Sequence, residues 1–176
     1  PKGVGALYLN KNNGISIDKY VFGGNHEKGI RPGTLNVPGI VGFGEACSIA
    51  QGCLEANHQH YKGLQHQLEE GLSTIEGTSI NCQYENRLPN TTNVSFKGVD
   101  GTKLLRYLNS LAISRGSACN SNQVNPSHVL KAMGVDDATA LASLRISTGR
   151  NTASDDIEKA VFEIKKAVNQ LKTINV

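Results

Sequence analysis

A long helical pattern between residues 38 and 75 constrains the fold more than any other feature of this sequence. Apolar residues recur along it at spacings of three, four and seven, which is the period of one helix face. Pro38 suits the first helical turn, where its missing N–H breaks no hydrogen bond. We therefore expect one long helix that links two parts of the fold, with Cys47 and Cys53 inside it as packing residues.

Shorter stretches on both sides of this helix show either the two-residue alternation of a strand or the 3.6-residue period of a helix. Strand-like composition and alternation predict strands at residues 4–9, 15–17, 77–82, 92–96, 111–114 and 141–147. The helical period predicts helices at residues 101–110, capped by Asp100, at 126–133, and from 152 onwards. Strands that alternate with helices, some as hairpin-like pairs, indicate an α/β or α+β sandwich.

Composition excludes several classes of protein. The 176 residues can bury a sizeable core, and a net charge of +3 is too small and too scattered to favour nucleic acid. No run of consecutive apolar residues is long enough to predict a membrane span. The four cysteines include no Cys-x-x-Cys pair, which argues against a zinc ribbon. Four cysteines in a chain of this size do not make a disulfide scaffold, which favours a reducing cytoplasm. A polar, solvated helix face accounts for His58, His60 and His66, so no metal site is predicted.

One cysteine and one arginine are candidates for chemistry. Cys119 stands among small and hydroxyl-bearing residues between positions 114 and 121, with Arg115 nearby. A reactive thiol needs access and a thiolate-favouring setting, but a serine- and glycine-rich turn with an incidental cysteine has the same composition. Arg145 is the single charge in an alternating apolar strand, where an arginine is either paired with a carboxylate or presented to an acidic ligand.

Residues 22–36 are a third candidate, because they show no periodicity and contain His26, Arg31, Gly33 and Thr34. A loop of this length is either mobile or functional. Its composition suits wrapping an anion with backbone N–H groups, a hydroxyl and a guanidinium. A solvated surface loop is the alternative.

Four separated stretches resemble, in order and spacing, segments of the cysteine desulfurases, which are pyridoxal-phosphate enzymes of the aminotransferase superfamily. Residues 1–8 resemble the strand that follows their cofactor lysine. Residues 23–34 resemble their Gly-Gly-x-His/Gln-Glu-Arg-Gly-x-Arg-x-Gly-Thr loop. Residues 114–121 resemble their Ser-Ser-Gly-Ser-Ala-Cys-x-Ser loop, and residues 145–152 resemble their Arg-x-Ser-Leu-Gly-x-x-Thr segment. The resemblance covers essentially the whole chain.

The resemblance implies a homodimeric enzyme that converts L-cysteine to L-alanine and leaves the sulfur as a persulfide on Cys119. It implies that Arg145 binds the substrate carboxylate. Thr34 would contribute to the phosphate of pyridoxal 5'-phosphate in the neighbouring subunit. The residues that would shape the loop around Thr34 are His26, Arg31 and Gly33. The sulfur would pass to an acceptor protein, such as an iron–sulfur scaffold or a relay protein for tRNA or DNA thiolation.

The same resemblance also implies a division of the chain. Residues 1–37 would end a large cofactor-binding domain, residues 38–75 would form the linking helix, and residues 76–176 would form a small α/β domain. The family's Schiff-base lysine precedes the position of Pro1, and Lys2 matches a different lysine. The chain is therefore expected to resemble the carboxyl-terminal part of such an enzyme.

Two other functions stay open at this point. A related pyridoxal-phosphate aminotransferase or lyase would use Arg145 for the same purpose, would leave Cys119 incidental and would release a keto acid. A non-catalytic sulfur-carrier module would accept a persulfide on Cys119 from a separate enzyme.

The absence of the Schiff-base lysine generates the first prediction. The isolated chain is expected to show no visible-range cofactor absorbance after incubation with pyridoxal phosphate, because the expected cofactor lysine is absent from it. Absorption spectroscopy after removal of unbound cofactor measures this. A stoichiometric Schiff-base band would contradict the prediction.

Overall fold

The computed structural model describes residues 1–115 and 125–174, and it divides the chain into two compact units, Pro1–Glu55 and Ala56–Val176. Its longest element is helix α1 (Val37–Ser73), which confirms the long helix predicted from the apolar period. The domain boundaries implied by the family resemblance are a separate matter and stay a prediction.

The first unit contains two short 3₁₀ helices, Lys11–Asn13 and Glu27–Gly29, and the beginning of α1. The strands predicted at 4–9 and 15–17 are wrong, because neither stretch forms a ladder in the structure. A strand needs a neighbour that pairs its N–H and C=O groups, and no described segment pairs with these two. Strand-like composition therefore did not suffice.

The second unit is built on a three-stranded antiparallel sheet. Its strands are β1 (Thr78–Asn81), β2 (Thr91–Phe96) and β3 (Ser143–Ser147), in that spatial order. The register pairs Asn81 with Asn93 and Asn93 with Arg145. These three strands confirm three of the sequence predictions and the α/β fold class.

The strand predicted at residues 111–114 is wrong. The amide of Leu111 bonds the carbonyl of Leu108 (3.0 Å), and the amide of Ile113 bonds the carbonyl of Leu111 (3.0 Å). Local turns after the preceding helix thus use the backbone groups that a strand would need. Only Ser114 reaches the sheet, where it forms an isolated bridge to Arg145.

The remaining helices of the second unit are α2 (Gly101–Tyr107), α3 (His128–Ala132), α4 (Asp137–Leu141) and α5 (Ser154–Ile174). Helices α2, α3 and α5 were predicted, and α4 was not.

As predicted, Asp100 caps α2 by accepting hydrogen bonds from the amides of Thr102 and Lys103. The Lys103 amide, followed by that of Thr102, lowers the pKa of Asp100. The cap's contribution to stability is therefore complete above the ordinary carboxyl pKa and is lost as the pH falls below it.

The core of the second unit lies between one face of the sheet and the helices α1, α2 and α5. The core side chains are all aliphatic except Phe96. The fully buried ones include Leu68, Leu72, Val94, Phe96, Leu104, Leu144, Ile164 and Val168. Helices α1 and α5 approach closely at Gly71, where an added Cβ would lie 2.8 Å from Val161. A larger residue at position 71 would push these helices apart.

The first part of α1 is largely exposed. Its buried residues are confined to the last turns, whereas apolar residues such as Val41 and Leu54 are 66% and 69% exposed. Cys47 and Cys53 are also exposed, so their prediction as packing residues is wrong. By length and composition alone, α1 is apolar enough to cross a membrane. Core helices of proteins that do not enter a membrane pass the same test, so this one helix does not indicate a membrane span.

A partly buried ion pair joins Glu69 of α1 to Arg87, in the connection between β1 and β2. Arg87 donates two hydrogen bonds to Glu69, at 2.6 and 2.8 Å, and the Thr92 hydroxyl donates a third at 2.8 Å. The hydrogen bond to Glu69 raises the pKa of the Arg87 guanidinium. The contribution of the Arg87 charge to stability is therefore fully present below the ordinary arginine pKa and is lost only as the pH rises above it.

Removing Arg87 should therefore destabilise the fold strongly. We expect Arg87→Ala to cost about 2–3 kcal/mol in free energy of unfolding, because it leaves the buried Glu69 carboxylate without its cation. Urea denaturation at neutral pH measures the change. The exposed Arg150→Ala is the control and should stay within about 0.5 kcal/mol of wild type. Equal effects of the two substitutions would contradict the assignment.

Candidate active site

Ser114 and Arg115 immediately precede the segment that carries Cys119, and we call them the stem. The stem is attached directly to Arg145. The Ser114 amide donates to the Arg145 carbonyl (3.1 Å), and the Arg145 amide donates to the Ser114 carbonyl (2.7 Å). Ser114 precedes Cys119 by five positions in the sequence. Cys119 itself lies outside the described residues. One predicted site residue, Arg145, is therefore joined by an antiparallel bridge to Ser114, which precedes the segment with Cys119.

Arg145 lies on the side of the sheet that faces away from the core. Its neighbours along β3, Leu144 and Ile146, are buried, whereas Arg145 is exposed. Within residues 1–115 and 125–174 no carboxylate forms a salt bridge with it. The sequence allowed Arg145 either to pair with a carboxylate of the chain or to bind an acidic ligand. The described structure favours the second role.

The rest of this outer face is polar. Alternation along β2 and its partners puts Ser79, Ser95 and Ser143 in one cross-strand row, and Asn81, Asn93 and Arg145 in the next. Thr139 of α4 contacts the serine row through its carbonyl, which accepts from the Ser143 hydroxyl at 2.8 Å. The asparagine and arginine row carries the only cation of the described outer-face positions. An anionic ligand on this face would meet that row.

A second contact anchors the stem. The Arg115 guanidinium donates to the Thr102 hydroxyl in the first turn of α2. Arg115 is half-buried and lines a cavity of about 260 Å³ together with Asp100 and Ala142. The Arg115 guanidinium thus lies against the first turn of α2. The stem is fixed on one side by Arg145 and on the other by α2.

The loop of residues 22–36 turns sharply at a short 3₁₀ helix in the first unit. Glu27, Lys28 and Gly29 all have positive φ, and the Gly29 amide bonds the His26 carbonyl at 2.9 Å. Left-handed backbone costs a non-glycine residue roughly 1–2 kcal/mol, so the hydrogen bonds of this turn maintain it against strain. His26 occupies the position before the 3₁₀ helix, and its side chain makes no capping bond.

Arg31 stabilises the following residues of that loop. Its Nη1 donates to the carbonyls of Gly33 (3.0 Å) and Thr34 (3.4 Å), and Gly33 has a φ of +96°. Thr34 is exposed, and no described residue bonds its hydroxyl. The donor set fits a phosphate contact through Thr34, with Arg31 as a brace of the loop.

The other cysteines and the histidines do not form a second centre within the described residues. Cys82 is half-buried and, like Cys47 and Cys53, is a free thiol. His66 contacts Glu70 at 3.2 Å on the exposed surface of α1. No group of three or more histidine, cysteine or acidic residues in the described part of the chain could hold a metal ion.

Two features of the site were not predicted from the sequence. One is the pairing of Ser114, the last residue of the strand predicted at 111–114, with Arg145. The other is that Asn93, in the alternating strand β2, shares a face with Arg145. The second feature could have been predicted, because a strand that pairs with β3 and buries Val94 beside Leu144 must put Asn93 on the face of Arg145.

Comparison with known proteins shows the family to which the chain belongs. The aminotransferase class-V family model matches residues 1–160. The cysteine desulfurase IscS of Vibrio atlanticus is 41% identical over 99% of this chain and 43% of its own length, and that of Shewanella loihica is 42% identical with the same coverage. The structure of a NifS-like protein from Rickettsia africae superposes with a TM-score of 0.76 and 31% identity over 89% of this chain and 41% of that one.

These similarities confirm the resemblance to cysteine desulfurases and the α/β fold class. The chain spans less than half the length of the curated relatives that it matches.

The attachment of the stem generates the third prediction. Arg115→Ala is expected to raise the hydrogen-exchange rates of the Ser114 and Arg145 amides, because it removes the described side-chain contact between the stem and α2. The Val94 amide, in the central strand, should be unaffected. Arg106→Ala, on the exposed side of α2, is the control. Unchanged exchange at Ser114 would show that the Thr102 contact does not hold the stem.

Proposed function

Because the chain belongs to the aminotransferase class-V family, we propose that the protein containing it is a cysteine desulfurase. It converts L-cysteine to L-alanine and receives the sulfur as a persulfide on Cys119. The observation that carries this proposal is the bridge between Ser114 and Arg145. It brings a cation suited to an amino-acid carboxylate next to the stem of the segment with the candidate nucleophile.

Arg145 binds the substrate carboxylate. A guanidinium presents parallel N–H groups that match the two carboxylate oxygens, so one side chain fixes both the position and the orientation of the amino acid. The exposed position of Arg145 and the lack of an acidic partner among the described residues support this role. Lysine at this position would offer a point charge without the paired geometry.

Cys119 accepts the sulfur. The thiolate forms a bond to the sulfur of the bound cysteine while the bond between that sulfur and the substrate Cβ breaks. The electron pair of the broken bond stays with the carbon, which takes up a proton and becomes the methyl group of L-alanine. The sulfur remains on the protein as a persulfide, and no external oxidant or reductant is needed for this step.

Pyridoxal 5'-phosphate, when bound, supplies the electron sink that this chemistry requires. Thr34 would contact its phosphate across a homodimer interface, and its exposure and the lack of a described partner for its hydroxyl support this role. Arg31 holds the backbone of Gly33 and Thr34 in place for that contact. His26 contributes to the same loop through its backbone carbonyl.

The persulfide passes to an acceptor protein such as an iron–sulfur scaffold or a thiolation relay. We infer a reducing cytoplasm as the site of the reaction, since Cys47, Cys53 and Cys82 are free thiols and disulfides are rare there.

The proposal predicts the behaviour of two substitutions in the full-length protein that contains this chain. Cys119→Ala should abolish persulfide formation, because the sulfur acceptor is lost. Arg145→Lys should raise KM for L-cysteine by at least about tenfold, the size of a charge-assisted hydrogen bond. Alanine analysis and persulfide labelling measure the two effects. Cys47→Ala, an exposed cysteine elsewhere, is the matched control and should retain activity.

The outcomes separate the competing functions. A keto acid product that is insensitive to Cys119→Ala would indicate an aminotransferase or lyase. A protein that accepts persulfide from another enzyme but never forms alanine would be a carrier module. Either result would overturn the proposed function.

A further inference from the structure

The outer face of the sheet contains a chain of hydrogen bonds that ends beside Arg145. Asn81 Nδ2 lies 2.5 Å from Asn93 Oδ1 and 2.8 Å from Ser95 Oγ. The hydroxyls of Ser95 and Ser143 are 2.8 Å apart. Ser143 in turn donates to the Thr139 carbonyl at 2.8 Å. We call Asn81, Asn93, Ser95 and Ser143 the amide–serine chain.

Counting hydrogens fixes the direction of every bond in this chain. A serine hydroxyl has one hydrogen, and Ser143 gives its hydrogen to a carbonyl, which can only accept. Ser95 must therefore donate to Ser143. Because the hydrogen of Ser95 is then in use, Ser95 can only accept from Asn81, so the Asn81 atom beside it must be the amide nitrogen. The opposite orientation of the Asn81 amide would leave one of these contacts without a hydrogen.

The orientation of Asn81 determines that of Asn93. The Asn81 nitrogen faces Asn93, and a bond requires the Asn93 oxygen there. The register puts Asn93 between Asn81 and Arg145 on adjacent strands. The Asn93 Nδ2 group is thus left for the side of Arg145, and directly opposed residues have Cβ atoms about 4.5–5.5 Å apart.

This directly opposed pair carries two donor groups for which the described residues provide no acceptor. The Arg145 guanidinium and the Asn93 Nδ2 group both only donate, and in the described part of the chain neither has a hydrogen-bond acceptor. Donor groups that share one face are suited to binding an anion with several acceptor oxygens. A carboxylate supplies two oxygens and about four lone-pair positions.

We propose that Asn93 is a second carboxylate-binding residue, which donates through Nδ2 to the same α-carboxylate that Arg145 binds. This inference rests on the proposed function, which makes that carboxylate part of L-cysteine. Asn81, Ser95 and Ser143 are positioning residues, because they hold the Asn93 amide in the donating orientation.

Asn93→Asp tests the proposal in the full-length protein. The aspartate keeps an oxygen for the Asn81 hydrogen bond but replaces the donor beside Arg145 with a negative oxygen. The substrate carboxylate is then repelled, and Arg145 gains an internal partner. We expect KM for L-cysteine to rise at least about tenfold with a smaller change in kcat, while the melting temperature stays close to that of wild type.

A second substrate separates carboxylate recognition from general damage. L-cysteine methyl ester has no carboxylate charge, so Asn93→Asp should affect it much less, and the preference for L-cysteine over the ester should fall. Asn81→Asp should act in the same direction and more weakly, because it withdraws the donor that orients Asn93. Asn169→Asp makes the same charge change on the exposed surface of α5 and should leave both substrates unaffected.

Calorimetry makes failure of this inference distinguishable from failure of the proposed function. L-cysteine is titrated into Cys119→Ala protein with and without Asn93→Asp, and we expect Kd to rise at least about tenfold with the second substitution. Absence of alanine formation by wild type, with this Kd difference present, would overturn the function and support Asn93 as a carboxylate ligand. Active wild type with unchanged KM and Kd in Asn93→Asp would overturn the role of Asn93 alone.

Discussion

The pairing of β3 with β2 is the constraint on which the site depends. Antiparallel strands alternate their side chains, so burying Leu144 and Ile146 in the core obliges Arg145 to face outwards. The same register puts Asn93 opposite Arg145 and leaves the other edge of β3 available for Ser114. A shift of one residue would bury the arginine and expose the leucine, which a packed core does not tolerate.

The core that maintains this register could largely be predicted from sequence. The apolar period of α1 and α5 and the alternation of β2 and β3 identified these elements, because the pattern and the burial coincide in the second unit. The Asp100 cap was equally visible, since its side chain acts on amides only a few residues away. Local chemistry and strong periodicity are the signals that a sequence carries most directly.

The failures share a physical cause, which is dependence on partners remote in sequence. Residues 4–9 and 15–17 have strand-like composition, but a ladder needs neighbours that composition does not specify. Cys47 and Cys53 lie on an apolar helix, yet only the last turns of α1 pack against the sheet. The bridge at Ser114 and the hydrogen bonds of Asn81 likewise arise from tertiary register. Arg145 could nevertheless be identified from the sequence. A single charged residue in an alternating apolar strand is unusual, and it can be recognised without knowledge of its tertiary partners.

The central claim is that Arg145 and Asn93 together bind the carboxylate of the substrate that Cys119 attacks. It is tested most directly by a crystal structure of the full-length Cys119→Ala protein with L-cysteine bound. We expect one carboxylate oxygen within about 3.2 Å of the Asn93 Nδ2 atom and the carboxylate paired with the Arg145 guanidinium. A substrate carboxylate bound away from both residues would contradict the claim.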